Sequence, residues 1–224
     1  MKEKLKLNFL WKILGDYLFG ILAGISISFG GIAFLSSGNK IIGALFFTIG
    51  LFMVLVFKFN LFTGKVCYSF DNKPSYILRL LIIWIGNFTG AVLMGLILQA
   101  TRLTALQDAC VAIVNTKLSD SLISLFILGI FCNILIYLAV HGFNNFENPI
   151  FKTLALFFGV SVFVLCGFEH CVADMFYFSF AGAWSWNMIA RLLIITLGNI
   201  VGGLLIPGVI KIYKLIENKA KDKQ

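Results

Sequence analysis

Three short stretches hold most of the residues able to handle a proton or a small ion inside an otherwise apolar chain. They are "GFEHCVAD" (Gly167 to Asp174), "KFNLFTGK" (Lys58 to Lys65) and "GIFCNILIYLAV" (Gly129 to Val140). His170 titrates near neutral pH when unperturbed, so it can take up or release a proton under ordinary conditions. It can equally tie two nitrogens into a structural network. Glu169 beside it is costly in apolar surroundings unless paired or protonated. Its candidate partners are Lys117 and any backbone left exposed nearby, and it reads either as a charge-setting group or as a clamp. Asp174 could be another clamp. Thr63 brings a hydroxyl that both donates and accepts, and Asn133 an amide that does likewise, for a passing solute or for a neighbouring helix. Cys171 is the one nucleophile next to a base, but adjacent helical side chains point about 100° apart and rarely meet. Cys166, His170 and Cys171 fall short of a four-ligand tetrahedral metal set. Neither an enzyme nor a metal or other cofactor is expected.

These residues must be held by helices in a bilayer. The chain has 224 residues, 60% of them hydrophobic and only 12% charged, against about 25% charged in soluble domains. A chain of this length has too little interior to hide that much apolar surface. It is read as one all-α integral membrane domain over residues 1–224, with the lipid bilayer as its first partner. The net charge of +8 lies at segment ends rather than along one helix face, so nucleic acid is not a partner. The five cysteines, with no CxxC pair, read as small buried hydrophobes. The start "MKEKLKLNFLWK" resembles a signal n-region, but the long apolar run after it lacks a cleavage site and reads as an uncleaved span.

A helix needs about 20 apolar residues to cross the hydrocarbon. Uncharged runs give six spans, at about 17–37, 41–75, 79–102, 119–144, 152–180 and 187–213. Placing both termini in the cytoplasm puts Lys2, Lys4, Lys6, Lys12, Lys65, Lys73, Arg79, Lys152, Lys211 and the basic tail through Lys223 inside. Lys40, Arg102, Lys117 and Arg191 fall outside. This satisfies the positive-inside rule for a cell (plasma) membrane protein.

The second and fifth spans are interrupted by the two polar stretches, and a repeat connects them. Arg79 opens "RLLIIWIGNFTG" and Arg191, 112 residues later, opens "RLLIITLGNIVG". With three spans per half, the copies (about 14–110 and 117–215) cross the membrane in opposite senses. Inverted repeats with paired broken helices point to a site near the bilayer midplane. Half-helix amino termini there offer N–H groups and partial positive charge, which suits a small anion or a polarisable acid. The duplicated pairs Gly86/Gly90 and Gly198/Gly202 give small faces for close helix packing. Phe47, Leu51, Leu61, Phe62, Ile136 and Phe163 lie beside the breaks and would narrow a pore by apolar contact.

"GFEHCVADM" resembles the signature of the formate–nitrite transporter family, usually GFEH-small-x-A-N-M. "NLFTGK" resembles its L-F-T segment, and "NILIYLAV" its fourth-helix pattern. The resemblance covers about residues 14 to 213. It implies an aquaporin-like protomer in a homopentamer, with one pore each, passing formate, nitrite, hydrosulfide or, in some branches, acetate or lactate. It further implies that His170 is the central histidine, Thr63 the loop threonine, Asn133 the asparagine that helps fix the histidine, Lys117 the lysine that attracts anions, and Glu169 the acidic neighbour. Phe47 and Phe163 match an outer slit, and Leu61, Phe62 and Ile136 an inner one, with Leu51 near the pore. The sequence departs from the pattern at Asp174, where asparagine is usual, at Lys58, where a small residue is common, and at His141, where tryptophan is frequent. The expected mechanism is passage of the anion with protonation at His170. The alternative is a proton-independent anion channel with His170 as a fixed positive charge.

Overall fold

The computed structural model describes residues 2–182 and 184–221; Met1, Ala183 and residues 222–224, with Lys223 of the basic tail, lie outside the described residues. Regular structure among the described residues is helical. The helices are α1 (Lys2–Ser36), α2 (Lys40–Val56), α3 (Phe62–Val66), α4 (Tyr76–Gln99), α5 (Thr104–Ser119), α6 (Leu122–Asn145), α7 (Pro149–Cys166), α8 (Cys171–Phe180) and α9 (Trp186–Lys221). Leu10–Ser36 of α1, together with α4, α6, α7 and α9, is long and apolar enough to cross a membrane. Large apolar side chains such as Phe46, Ile77, Ile123 and Ile150 stand more than half exposed. So large an apolar outer surface suits contact with acyl chains rather than water.

Two bounds differ from those expected. α1 runs back to Lys2 and α9 forward to Lys221, because the flanking Lys, Glu and Leu residues are good helix formers in water as in lipid. The connection between the third and fourth spans contains α5. It buries Cys110 and Val114 with Lys117 one turn on. That spacing of three to four residues is the stripe of an amphipathic helix, which counting of uncharged runs overlooks.

The long helices pair closely through glycine. α1 lies on α4 so tightly that a Cβ at Gly90 would come within 2.1 Å of the Ile21 carbonyl. α6 lies on α9 in the same way: a Cβ at Gly202 would come within 2.1 Å of the Ile130 carbonyl. α2 packs beside α1, and α7 beside α6.

α2 and α7 stop alike. Each is capped at its start by an asparagine: Asn39 Oδ1 accepts from Ile41 and Ile42 N–H, and Asn148 Oδ1 from Ile150 N–H, with Pro149 opening α7. α7 ends at Gly167 in the left-handed region (φ 73°), with Phe168 N–H bonded back to Phe163 O at 2.9 Å. α2 ends with the same bond, Phe59 N–H to Val54 O at 2.9 Å, but the left-handed residue is Lys58 (φ 57°). This is the helix-ending motif in which glycine is favoured. A lysine there carries strain of about 1 kcal/mol. The chain is then extended at Leu61 and at His170, the caps at which α3 and α8 begin.

Candidate functional site

The non-helical segments between α2 and α3 and between α7 and α8 leave N–H and C=O groups without helical partners, and in an apolar interior each costs several kcal/mol. Two asparagines answer this. Asn87 of α4 accepts Phe62 N–H on Oδ1 (2.8 Å) and donates from Nδ2 to Asn60 O and Gly20 O (both 2.8 Å). Asn199 of α9 accepts Cys171 N–H (2.9 Å) and donates to Glu169 O and Gly129 O (both 2.8 Å). Both are fully buried. A backbone bond completes each set, Asn60 N–H to Phe19 O and Glu169 N–H to Leu128 O. These asparagines hold the site in shape, and a reading of the sequence for ionisable groups misses them. The available signal was their position: each is the eighth residue after the arginine that opens its repeat, Arg79 or Arg191.

The frame is paired but its side chains are not. His170 is 2% exposed and has both nitrogens engaged. Nδ1 accepts the N–H of Ala173 (3.2 Å), which makes His170 the cap of α8. Nε2 lies 2.9 Å from Thr63 Oγ1. Since Nδ1 accepts, the neutral ring carries its hydrogen on Nε2 and donates it to Thr63. The hydroxyl hydrogen of Thr63 is then free for another acceptor. The two breaks are thus joined by one side-chain bond.

Asn133 is linked to His170 through Thr63, whose hydroxyl meets the ring. Its Nδ2 donates to Asn199 O (2.6 Å) and Thr63 O (3.2 Å), so it fixes the backbone on which Thr63 and the α9 asparagine sit. Gly203 of α9 leaves room for the amide: a Cβ there would fall 2.4 Å from Nδ2.

Lys117 reaches the break from α5. Its Nζ pairs with Glu169 Oε2 and, at 2.9 Å, with Asp174 Oδ1. Burial by itself would lower the Lys117 pKa; the carboxylates of Asp174 and Glu169 outweigh it and raise it above the ordinary lysine value. Arg191 holds the end of that helix by donating to Lys117 O (3.0 Å) and Asp120 O (2.6 Å). At the other end of the molecule Arg79 forms a two-bond pair with Asp16, which also accepts from Asn60.

Two cavities flank the breaks and share no lining residue. One, of about 280 Å³, is lined by Lys117, Glu169, His170, Asp174, Phe47 and Phe163 among others. The other, of about 380 Å³, is lined by Lys58, Lys65, Lys152, Leu51, Leu61 and Val140 among others. Phe47 and Phe163 meet edge to face at 5.8 Å, and Phe163 stacks on His170 at 5.7 Å. Leu51 and Leu61 therefore wall the second cavity and the two phenylalanines the first. Phe62 and Ile136 are buried but line neither; Val54 and Val140, not picked out from the sequence, stand there instead. The site is thus a buried imidazole between an apolar aromatic ring and a hydroxyl, with lysines lining both cavities.

A family model described as "Formate/nitrite transporter" matches residues 2–213. The chain belongs to the formate/nitrite transporter family. It is a membrane transport protein and not an enzyme. A probable formate transporter of Methanothermobacter thermautotrophicus is 30% identical, over 81% of this chain and 82% of the relative. The formate channel FocA of Haemophilus influenzae is 27% identical, over 78% and 74%. Among solved structures, a "Pentameric formate channel with formate bound" superposes with a TM-score of 0.78 at 28% identity, covering 92% of this chain and 98% of that one. An "FNT family ion channel" shares the fold at 24% identity with a TM-score of 0.75, covering 93% and 92%.

Proposed function

We propose that this formate/nitrite transporter family member is a channel for small monovalent weak-acid anions of the formate type, and that passage is coupled to protonation at His170. The single observation that carries the reading is the use of both imidazole nitrogens. Nδ1 accepts a backbone N–H at the start of α8 and Nε2 faces Thr63. An imidazolium would lose the first bond and set two N–H groups against each other. The charged ring therefore serves as a passing form, which disfavours a fixed positive charge and favours proton transfer.

With both termini in the cytoplasm the Lys117 cavity faces outward, and the basic residues clustered with the termini support that orientation. The amino end of α8 and Lys40 at the cavity attract the anion, while Lys117 offsets the carboxylates beside it. Drier surroundings raise the cost of its charge. The imidazole takes a proton at Nδ1 from water of that side and passes it from the same atom to the anion, so the bond to Thr63 is kept. The neutral acid crosses between Phe47 and Phe163 and past Leu51 and Leu61. In the second cavity Lys58, Lys65 and Lys152 favour the anion again, and the proton leaves to water. The duplicated arginine–asparagine frame supports two inverted three-span halves in an aquaporin-like protomer, with the second and fifth spans broken. The pentameric formate channel to which the chain is similar supports a homopentamer with one pore per protomer, in the cell membrane.

Proteoliposomes with a trapped pH dye test this. Formate uptake by the wild-type protein is expected to carry one proton per anion, above the leak of protein-free vesicles. His170→Asn should abolish that coupled uptake. A His170→Asn protein that takes up formate and protons in the wild-type ratio and rate would refute the relay.

A further inference from the structure

Lys117 bears one positive charge and two carboxylates. Its Nζ is paired with Glu169 and, at 2.9 Å, with Asp174 Oδ1. Asp174 is 1% exposed, and its second oxygen, Oδ2, is buried without a hydrogen-bond partner among the described residues. It also lines the 280 Å³ cavity that leads to His170. With every group ionised the cluster is one negative charge in excess, at the place where an anion has to sit. An unpaired charged oxygen in such a site is among the costliest arrangements a protein interior can hold.

We infer that Asp174 is a proton-binding gate, and that the Lys117 cavity admits an anion only while the Lys117–Glu169–Asp174 cluster holds one extra proton on Oδ2. The inference rests on the weak-acid channel reading. The proton comes from water of the Lys117 side and forms an O–H bond on Oδ2. Oδ1 stays on Lys117, and the cluster passes from one negative charge to none. This proton remains while the anion passes and returns to the same water afterwards. It is additional to the one that crosses with the acid.

Among the described residues no cation other than Lys117 is paired with Glu169 or Asp174. α5 brings Lys117 and Cys110, the break Glu169 and His170, α8 itself Cys171 and Tyr177, and α6 Cys132. Arg191 of α9 donates to the carbonyls of Lys117 and Asp120 and makes no pair with either carboxylate of the cluster. Lys40 of α2 lines the cavity but is not paired with Asp174. α1 and α4 pack on α8 but carry their charged residues, Asp16 and Arg79 among them, only towards the opposite end.

Asp174→Asn is isosteric and keeps an oxygen for Lys117 while abolishing the titration. Initial formate uptake into proteoliposomes is measured against external pH at fixed internal pH. On the alkaline limb the wild-type rate should fall by about two powers of ten per pH unit, one for each proton, and the Asp174→Asn rate by about one. One unit into that limb the variant should be about tenfold faster, with the proton-to-formate ratio unchanged. A wild-type slope of one, or superimposable profiles, would overturn the gate. Loss of wild-type uptake when N-methylglucamine replaces sodium would overturn it too, because the excess charge would then belong to a metal cation. Should Asp174→Asn fail to assemble, the wild-type slope decides, together with infrared spectra of the wild-type protein. A protonated-carboxyl band must grow as external pH falls, and its absence counts against the gate. Wild-type vesicles that take up no formate would refute the channel reading itself, whereas flux with the wrong slope would refute only Asp174.

Discussion

Replacing Asn199 by alanine removes three buried hydrogen bonds that hold the segment around His170. Gly129 O belongs to the middle of α6 and keeps its helical partner, so its loss is small. Cys171 N–H and Glu169 O lie in or next to the break and have no helix to fall back on. Each buried group left unpaired costs about 1–3 kcal/mol, so the substitution should destabilise by about 2–6 kcal/mol. For a chain of this size 1 kcal/mol shifts the melting temperature by about 2–4 °C, so a fall of at least about 4 °C is expected for the detergent-purified protein, followed by intrinsic fluorescence. Asn87→Ala should cost as much, because Phe62 N–H and Asn60 O depend on it in the same way. Ser161→Ala is the control: that hydroxyl is exposed and bonds its own helix at Phe157 O, and its loss should cost under about 0.5 kcal/mol. Because Asn199 grips the residues on either side of His170, formate uptake should fall as well. An Asn199→Ala protein melting within about 1 °C of wild type would refute the view that these asparagines pay for the breaks.

Gly202→Ala sets a Cβ 2.1 Å from the Ile130 carbonyl and should cost about 1–3 kcal/mol or more by forcing α9 off α6. Gly15→Ala, where a Cβ meets nothing within 4 Å, should stabilise by up to about 1 kcal/mol; thermal melts check both. Thr63→Val leaves His170 Nε2–H without its acceptor and should lower formate uptake at least several-fold while the protein still assembles. Thr63→Ser, which restores the hydroxyl, should recover uptake. The flux experiments on His170→Asn and Asp174→Asn complete the set.

Much of this was legible in the sequence because charge is rare in it. In a chain 12% charged, each ionisable residue inside an apolar run stands out, so His170, Glu169 and the Lys117 pairing were visible. The repeat was visible as well, but its glycines drew attention and its asparagines did not. An asparagine reads as interhelical glue until the backbone groups it satisfies are known. Asn133 is a further case: it sits mid-helix and serves the backbone of Thr63 and Asn199. The constriction was only half legible, since any of 24 phenylalanines can face lipid, core or cavity, and their direction depends on packing. α5 escaped because its stripe is amphipathic and mixes lysine with apolar residues.

The amino-acid sequence by itself determined the solvent, the all-helical class and the family, because hydropathy and motif spacing are properties of the chain as written. Only the tertiary structure decided which groups meet. Thr63 and His170 are 107 residues apart and bond at 2.9 Å, and Lys117 finds Asp174 57 positions away. Hydrogen bonds and charge pairs act over about 3 Å, a distance that sequence separation does not encode. The charge count on Lys117, and the oxygen of Asp174 left without a partner among the described residues, exist only once the helices have packed.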